Sequence, residues 1–164
     1  MVIFRLASLV ILAMWVGGLA VLGLVGAPTI FSPLAAHAPA GGRALAGMVF
    51  GAVFERFQHW AWAFAALFVA TLGGRTLLGP RPRRLAWRLT VVAGMLALSL
   101  TSTLVLAPRI DQIRRDASGS VAALPDADPR KTEFGRLHAV SNVFMLATLA
   151  LGLGLLWMEA DERH

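Results

Sequence analysis

Residues 54–74, FERFQHWAWAFAALFVATLGG, decide the fold class of this chain. The polar side chains of this stretch crowd its first six residues: Glu55, Arg56, Gln58 and His59. The fifteen residues that follow carry no charge. A helix needs about 20 mainly apolar residues to cross the hydrocarbon core of a bilayer, so the stretch predicts a membrane span. Because ionisable groups inside a span are costly, they usually face a protein interior or water. We therefore expect functional side chains at this polar end.

The composition of the whole chain supports a membrane protein. Of its 164 residues, 57% are hydrophobic and 15% are charged, and the mean hydropathy is +0.70. Soluble domains are about 45–50% apolar and about 25% charged. The net charge of +6 comes from basic residues between apolar runs, which favours contact with lipid headgroups over nucleic acid. The chain has no Cys, which excludes disulfides and thiolate metal sites.

Four apolar segments predict an all-α, integral membrane four-helix bundle in a single domain covering residues 1–164. The predicted spans are residues 6–27, 55–74, 89–107 and 137–158. A helical pattern starts near Arg43, so we expect the second helix to begin outside the hydrocarbon.

Two prolines are predicted to end helices. Pro28 ends the first span, and residues 28–43 then form a turn-rich connection. Pro108 ends the third span, and residues 109–117 form a short amphipathic helix that lies along the membrane surface.

The loop charges predict an orientation. Residues 75–88 contain five arginines and no acid, and short basic loops stay in the cytoplasm. Both termini then also lie on the cytoplasmic side. Residues 108–136 weaken this prediction, because they carry six basic residues beside five acids. Frequent Ala and Arg without Cys is typical of bacteria, so we place the protein in a bacterial inner membrane.

A short internal repeat is visible. Ala27-Pro28-Thr29-Ile30 recurs eighty residues later as Ala107-Pro108-Arg109-Ile110. The same offset pairs Phe54 with Phe134 and Arg56 with Arg136. The chain therefore reads either as two repeated helical hairpins, related by an axis along the membrane normal, or as apolar helices that resemble each other by default.

Polar residues near the outer ends of the spans predict one cluster. His138, Ser141 and Asn142 lie at i, i+3 and i+4, so they share a helix face. On the second span Glu55 and His59 lie four residues apart. The full candidate cluster is Glu55, His59, Ser102, Arg136, His138, Ser141 and Asn142.

This cluster has several interpretations. Its members either bond across helices and fix their packing, or form a small ligand pocket or a proton relay. His59 and His138 are the candidate ligands of a metal or of haem b, since neutral His is a common ligand of both. In the helix that leads into the second span, Gly47 and Gly51 form a G-x-x-x-G that either admits another helix closely or arises by coincidence in a Gly-rich chain.

Several motifs resemble the transmembrane-protein-205-like family. They are W-x-G-G at Trp15 to Gly18, A-P-x-I-F at Ala27 to Phe31, G-x-V-F at Gly51 to Phe54, and E-F-G-R-L-H-x-x-S at Glu133 to Ser141. The resemblance implies a four-helix integral membrane protein, known in bacteria as a domain of unknown function. It carries over no catalytic residue.

We expect a protein without enzymatic activity that acts in packing and interaction, or in binding a small molecule or lipid. The expected partners are the lipid bilayer and either a second copy or another membrane protein. No cofactor is expected, with haem b on His59 and His138 as the alternative. A small transporter subunit is a further alternative, which requires a water-accessible pocket between the hairpins.

Overall fold

The computed structural model describes residues 2–38, 41–79, 81–117 and 121–161. These residues form four long helices, each long and apolar enough to cross a membrane. The helices are α1 (Val2–His37), α2 (Gly42–Leu78), α3 (Leu85–Asp116) and α4 (Pro129–Ala160). The predicted all-α membrane bundle is confirmed, and α2 begins near Arg43 as expected. The bounds of the spans within these helices stay predictions.

Pro28 does not end the first helix, contrary to the prediction. The chain forms a π-helical turn at Leu22–Gly26 and then continues as helix to His37. Within this turn the Ala27 N–H donates to the carbonyl oxygen of Leu22, five residues earlier. Proline lacks an N–H, and its ring clashes with the carbonyl four residues before it. The wider π turn makes room for that ring, so the helix passes the proline. Of the predicted connection, residues 39–40 lie outside the described residues.

Pro108 behaves in the same way. A π-helical turn at Ser102–Leu106 precedes it, and α3 continues to Asp116. The predicted surface helix is therefore the end of α3, and its apolar side is buried rather than laid on the membrane. Ile113 is 7% exposed and packs with Val121, against which Phe134 and Leu137 of α4 also pack.

The two π turns occupy matching places in the repeat. They begin at residues 22 and 102 and end at residues 26 and 106, so both pairs lie eighty residues apart. The local backbone around each Ala-Pro is thus alike, while duplication of a hairpin stays a prediction.

The helices form an antiparallel bundle in which α1 packs on α2 and α4, and α4 also packs on α3. One side chain from each helix fills the centre: Trp15, Phe68, Met95 and Leu155, all at most 1% exposed. Close approach of α4 to α1 depends on Gly152, where an added Cβ would lie 2.5 Å from Val16 Cγ2.

Much apolar surface remains on the outside of the bundle. Between 17% and 33% of the most apolar window of each helix is buried. Large side chains such as Val10, Leu67 and Leu153 are more than half exposed. In water this apolar surface would promote aggregation, whereas in a bilayer it contacts acyl chains. The chain is therefore described as a membrane protein.

Candidate functional site

A cavity of about 340 Å³ lies at the end of the bundle where α1 ends and α2 begins. All four helices line it, because the C-terminal ends of α1 and α3 meet the N-terminal ends of α2 and α4 there. One part of the wall is apolar and consists mainly of Phe31, Phe50, Phe54, Ile110 and Met145. Phe50 lies between the other two aromatic rings, 6.1 Å from Phe31 and 6.2 Å from Phe54 between ring centroids.

Another part of the wall carries hydrogen-bonding groups. Ser102 and Thr103 come from the π turn of α3, and His138, Ser141 and Asn142 come from α4. Ser102 is 6% exposed, Ser141 is half-buried, and His138 and Asn142 are exposed. An apolar wall facing a few convergent polar groups is the usual form of a small-molecule site.

Thr103 is the one lining residue with an unpartnered buried hydroxyl among the residues that the structure describes. Its Oγ1 is buried and has no hydrogen-bond partner. Other threonines of the bundle donate to a carbonyl oxygen three or four residues earlier: Thr71, Thr76, Thr90 and Thr148, at 2.7–3.0 Å. Thr103 lies in the π turn Ser102–Leu106 and makes no such bond. A buried polar group without a partner is costly, so a residue of the cavity lining carries an unmet hydrogen bond.

Arg114 is the cation of the cavity. Its Nη1 lies 3.3 Å from Asp111 Oδ1, and its guanidinium lies 5.6 Å from the centroid of the Phe134 ring. A Cβ added to Gly47 would come within 2.8 Å of Arg114 Nη2. The first glycine of the G-x-x-x-G motif therefore leaves room for this guanidinium. The contact at Gly47 is with one side chain of α3, whereas the motif suggested the close approach of a whole helix.

Five of the seven predicted cluster residues line this cavity: Glu55, Ser102, His138, Ser141 and Asn142. His59 and Arg136 are exposed and do not belong to the lining. The inward face of α2 passes through Gln58, which is 5% exposed, and Ala61. One residue further along a helix turns by about 100°, so His59 points away from this face. Arg136 lies two positions before His138, which places it on nearly the opposite side of α4.

The two histidines do not face each other across this cavity. The His59 ring lies 5.0 Å from Trp62 of its own helix, and the His138 ring stacks on Phe134 at 6.1 Å. A haem held by two imidazoles needs both rings in one pocket, so the described side chains do not fit that arrangement. Haem b stays a prediction that an absorption spectrum of the purified protein tests.

A polar cluster that the sequence reasoning missed lies at the other end of the bundle. The carboxylate of the buried Glu159 accepts from Arg88 Nη1 through Oε1 and from Arg75 Nη1 through Oε2, the latter at 3.0 Å. Arg5 adds hydrogen bonds to the carbonyl oxygens of Glu159 and Ala160, at 3.3 and 3.0 Å. Each of the four helices thus contributes one charged residue.

The sequence offered little signal for this ion cluster. Glu159 stands in the charged end EADERH and the arginines stand in a basic stretch, so all of them resemble solvated charges. The partners are 84 and 71 residues apart in the chain. The available hint was that Glu159 directly continues the apolar helix, where an unpaired carboxylate would be costly.

Comparisons with known proteins give a family but no function. No curated protein and no solved structure matches the chain. Residues 10–118 match the family Domain of unknown function (DUF4149), which covers most of α1 to α3. This match supports an uncharacterised domain family and does not support the transmembrane-protein-205-like name. By this match the chain belongs to the Domain of unknown function (DUF4149) family.

Proposed function

We propose that this protein is a non-enzymatic membrane module that binds a small amphipathic molecule in the cavity at the π turn of α3. The observation that carries the proposal is the cavity of about 340 Å³ beside Thr103, a residue of its lining whose buried Oγ1 has no hydrogen-bond partner. The ligand supplies that missing partner. We place the protein in a bacterial inner membrane with both termini in the cytoplasm, on the strength of the basic residues 75–88.

The shape of the cavity supports a ligand with two unlike ends. Its volume lies within the usual range for small-molecule sites, about 300–1,000 Å³. Phe31, Phe50 and Phe54 offer an apolar wall for a tail. Met145 adds a flexible side chain that adapts to the shape of a ligand. The hydroxyls of Ser102 and Thr103 lie on the polar part of the wall.

The charges around the cavity favour an uncharged head on the ligand. Arg114 is the cation, and it is paired with Asp111 at 3.3 Å. Glu55 adds a second carboxylate to the lining. An anionic head would be repelled by these two carboxylates, and a cationic head would compete with the Arg114 guanidinium for them. A neutral head that donates and accepts hydrogen bonds suits Thr103, Ser141 and Asn142, because their side chains offer both donors and acceptors.

The packed centre of the bundle favours binding over transport. Trp15, Phe68 and Met95 fill the level between the two ends and are each 0% exposed. A transporter subunit needs a route for its substrate past this level. In the conformation described here, these side chains fill it.

Thr103→Val tests the proposal, because valine keeps the size of the side chain and removes its hydroxyl. In ligand-free protein the change removes a buried unpartnered group, so the free energy of unfolding rises by about 1–3 kcal/mol. In ligand-loaded protein it removes the bond to the ligand, so the amphiphile that co-purifies after mild extraction is lost. Opposite signs for stability and binding are what distinguish a ligand site from a packing site.

The matched control is Thr101→Val, two residues earlier on α3. Thr101 is exposed and does not line the cavity, so this variant keeps both the stability and the bound amphiphile of the wild type. Thermal unfolding of delipidated protein measures the stability, and native mass spectrometry measures the bound amphiphile. If Thr103→Val destabilises the ligand-free protein, or leaves the bound species unchanged, the proposal fails.

A further inference from the structure

A second pocket lies at the opposite end of the bundle, where the loop between α2 and α3 meets the end of α4. Its volume is about 170 Å³. The residues that line it are Arg83, Arg84, Arg88, Trp157, Met158 and Asp161. The proposed amphiphile site does not include any of these residues, so this pocket raises a separate question.

The pocket is basic at its rim. Arg88 is 1% exposed and is engaged by Glu159 and by the carbonyl oxygen of Met158. Arg83 and Arg84 are exposed, and Asp161 is the carboxylate of the lining. Among the described residues at this end, six arginines (5, 75, 81, 83, 84 and 88) stand against two acids, at 159 and 161. The described residues at this end therefore carry a net positive charge, and three of the arginines line the pocket.

The backbone holds one of these cations in an unusual conformation. Arg84 has φ 56° and ψ 37°, in the left-handed region, and no other non-glycine among the described residues has a positive φ. Residues other than glycine rarely adopt this backbone conformation, because it is strained. Such strain persists where the surrounding structure fixes the backbone, often at functional sites. Arg84 directly precedes α3, whose first N–H groups receive no bond from its side chain. The positive end of the helix dipole adds to the charge of the guanidinium.

Trp157 places the pocket at the level of lipid headgroups. Its side chain is 68% exposed near the end of an apolar helix, and exposed Trp at such positions lies at the membrane interface. The pocket opens beside this ring, where phospholipids carry their phosphate groups.

We propose that this pocket binds the phosphate-bearing headgroup of an anionic phospholipid, with phosphatidylglycerol as the test case. Arg83 and Arg84 donate to the phosphate oxygens, as guanidinium groups commonly do. The Trp157 ring packs along the glycerol portion of the lipid. Asp161 faces the same headgroup and weakens the affinity. The proposal does not depend on the amphiphile site at the other end of the bundle.

The test uses full-length protein in neutral detergent and counts bound lipid by native mass spectrometry. Phosphatidylglycerol binds, and phosphatidylcholine binds far more weakly. The variant is Arg83→Ala with Arg84→Gly, because glycine adopts the left-handed backbone without strain. A basic residue near an anionic lipid contributes about 1 kcal/mol, so losing two lowers the affinity for phosphatidylglycerol about thirtyfold.

The matched control removes two exposed arginines at the opposite end of α3, Arg109→Ala with Arg115→Ala. It changes the net charge equally, and since distant exposed charges are screened, affinity changes by less than about threefold. Asp161→Asn works in the other direction and raises the affinity. Equal losses in the two double variants, equal binding of phosphatidylcholine, or unchanged affinity in Asp161→Asn would each overturn the proposal. Displacement of the lipid by an equal concentration of inorganic phosphate would also overturn it, since the site would then hold a free anion.

Discussion

Removing the carboxylate of Glu159 is expected to destabilise the bundle more than almost any other single change. The side chain of Glu159 is 1% exposed, and those of Arg88 and Arg75 are 2% and 10% exposed. Losing one partner of a buried ion pair typically costs about 3–5 kcal/mol, because the remaining charge stays buried without compensation. Here a single carboxylate serves two guanidinium groups.

Glu159→Gln and Glu159→Leu are expected to differ in a definite order. Gln keeps one oxygen that accepts from an arginine, so its loss in the free energy of unfolding is at the lower end, about 3 kcal/mol. Leu keeps no acceptor, and its loss is about 5 kcal/mol. Unfolding by a denaturing detergent in bicelles, followed by circular dichroism, measures both values. The control is Glu133→Gln, the same change at an exposed residue of α4, which stays close to the wild type.

A charge-free replacement of the whole cluster separates electrostatics from packing. The triple variant Arg75→Met, Arg88→Met and Glu159→Leu is expected to recover most of the stability lost by Glu159→Leu, since apolar groups of similar size often replace buried ion pairs without cost. If Glu159→Gln stays within about 1 kcal/mol of the wild type, the carboxylate does not hold the arginines. If the triple variant is as unstable as Glu159→Leu, uncompensated charge is not the cause.

Two further predictions concern the packing of α4 and its first turn. Gly152→Ala places a Cβ 2.5 Å from Val16 Cγ2 and is expected to cost about 1–3 kcal/mol of stability. A Cβ at Gly154 meets nothing within 4 Å, so the control Gly154→Ala is expected to raise the stability by about 0.5–1 kcal/mol. Equal effects of the two variants in thermal unfolding would contradict the close approach of α4 to α1. Asp128 caps α4 by accepting from the Arg130 backbone N–H at 2.9 Å, and hydrogen bonds from the side chain and backbone of Arg130 lower the pKa of this carboxyl. Its contribution to stability is therefore fully present above the unfolded pKa of about 3.9 and is lost as the pH falls through the lower folded value. Asp128→Asn keeps a capping side chain without the charge, so the stability difference between wild type and variant should shrink over this acidic range, and a constant difference would refute the linkage.

The sequence predicted the architecture well because hydropathy reports directly on the membrane environment. Long uncharged runs such as residues 60–74 have few stable alternatives to a spanning helix. The prediction that the two prolines end their helices was wrong for a physical reason. Pro28 and Pro108 normally stop helices, but a π turn ahead of each one absorbs the steric conflict. No feature of the local sequence distinguishes a proline that stops a helix from one that widens it.

The candidate cavity was predictable in part. Spacing along α4 placed His138, Ser141 and Asn142 on one helix face, and all three line the cavity. The position of His59 required knowing which side of α2 faces inward, and this side is set by tertiary contacts through Gln58 and Ala61. The unpartnered hydroxyl of Thr103 depends on the atoms packed around it, so it too lay beyond sequence reasoning.

The two ends of the bundle differ in what they offer. At one end, Arg75 and Arg88 bind the Glu159 carboxylate, and Arg5 binds the backbone carbonyl oxygens of Glu159 and Ala160. At the other end, the helices leave a cavity beneath Thr103 and His138.

The most direct measurement is an experimental structure of the protein in nanodiscs that contain its native lipids. We expect elongated density in the cavity, with its head within hydrogen-bonding distance of Thr103 Oγ1 and its tail along Phe31, Phe50 and Phe54. A cavity closed by repacked side chains, with the Thr103 hydroxyl bonded to a backbone carbonyl, would contradict the account.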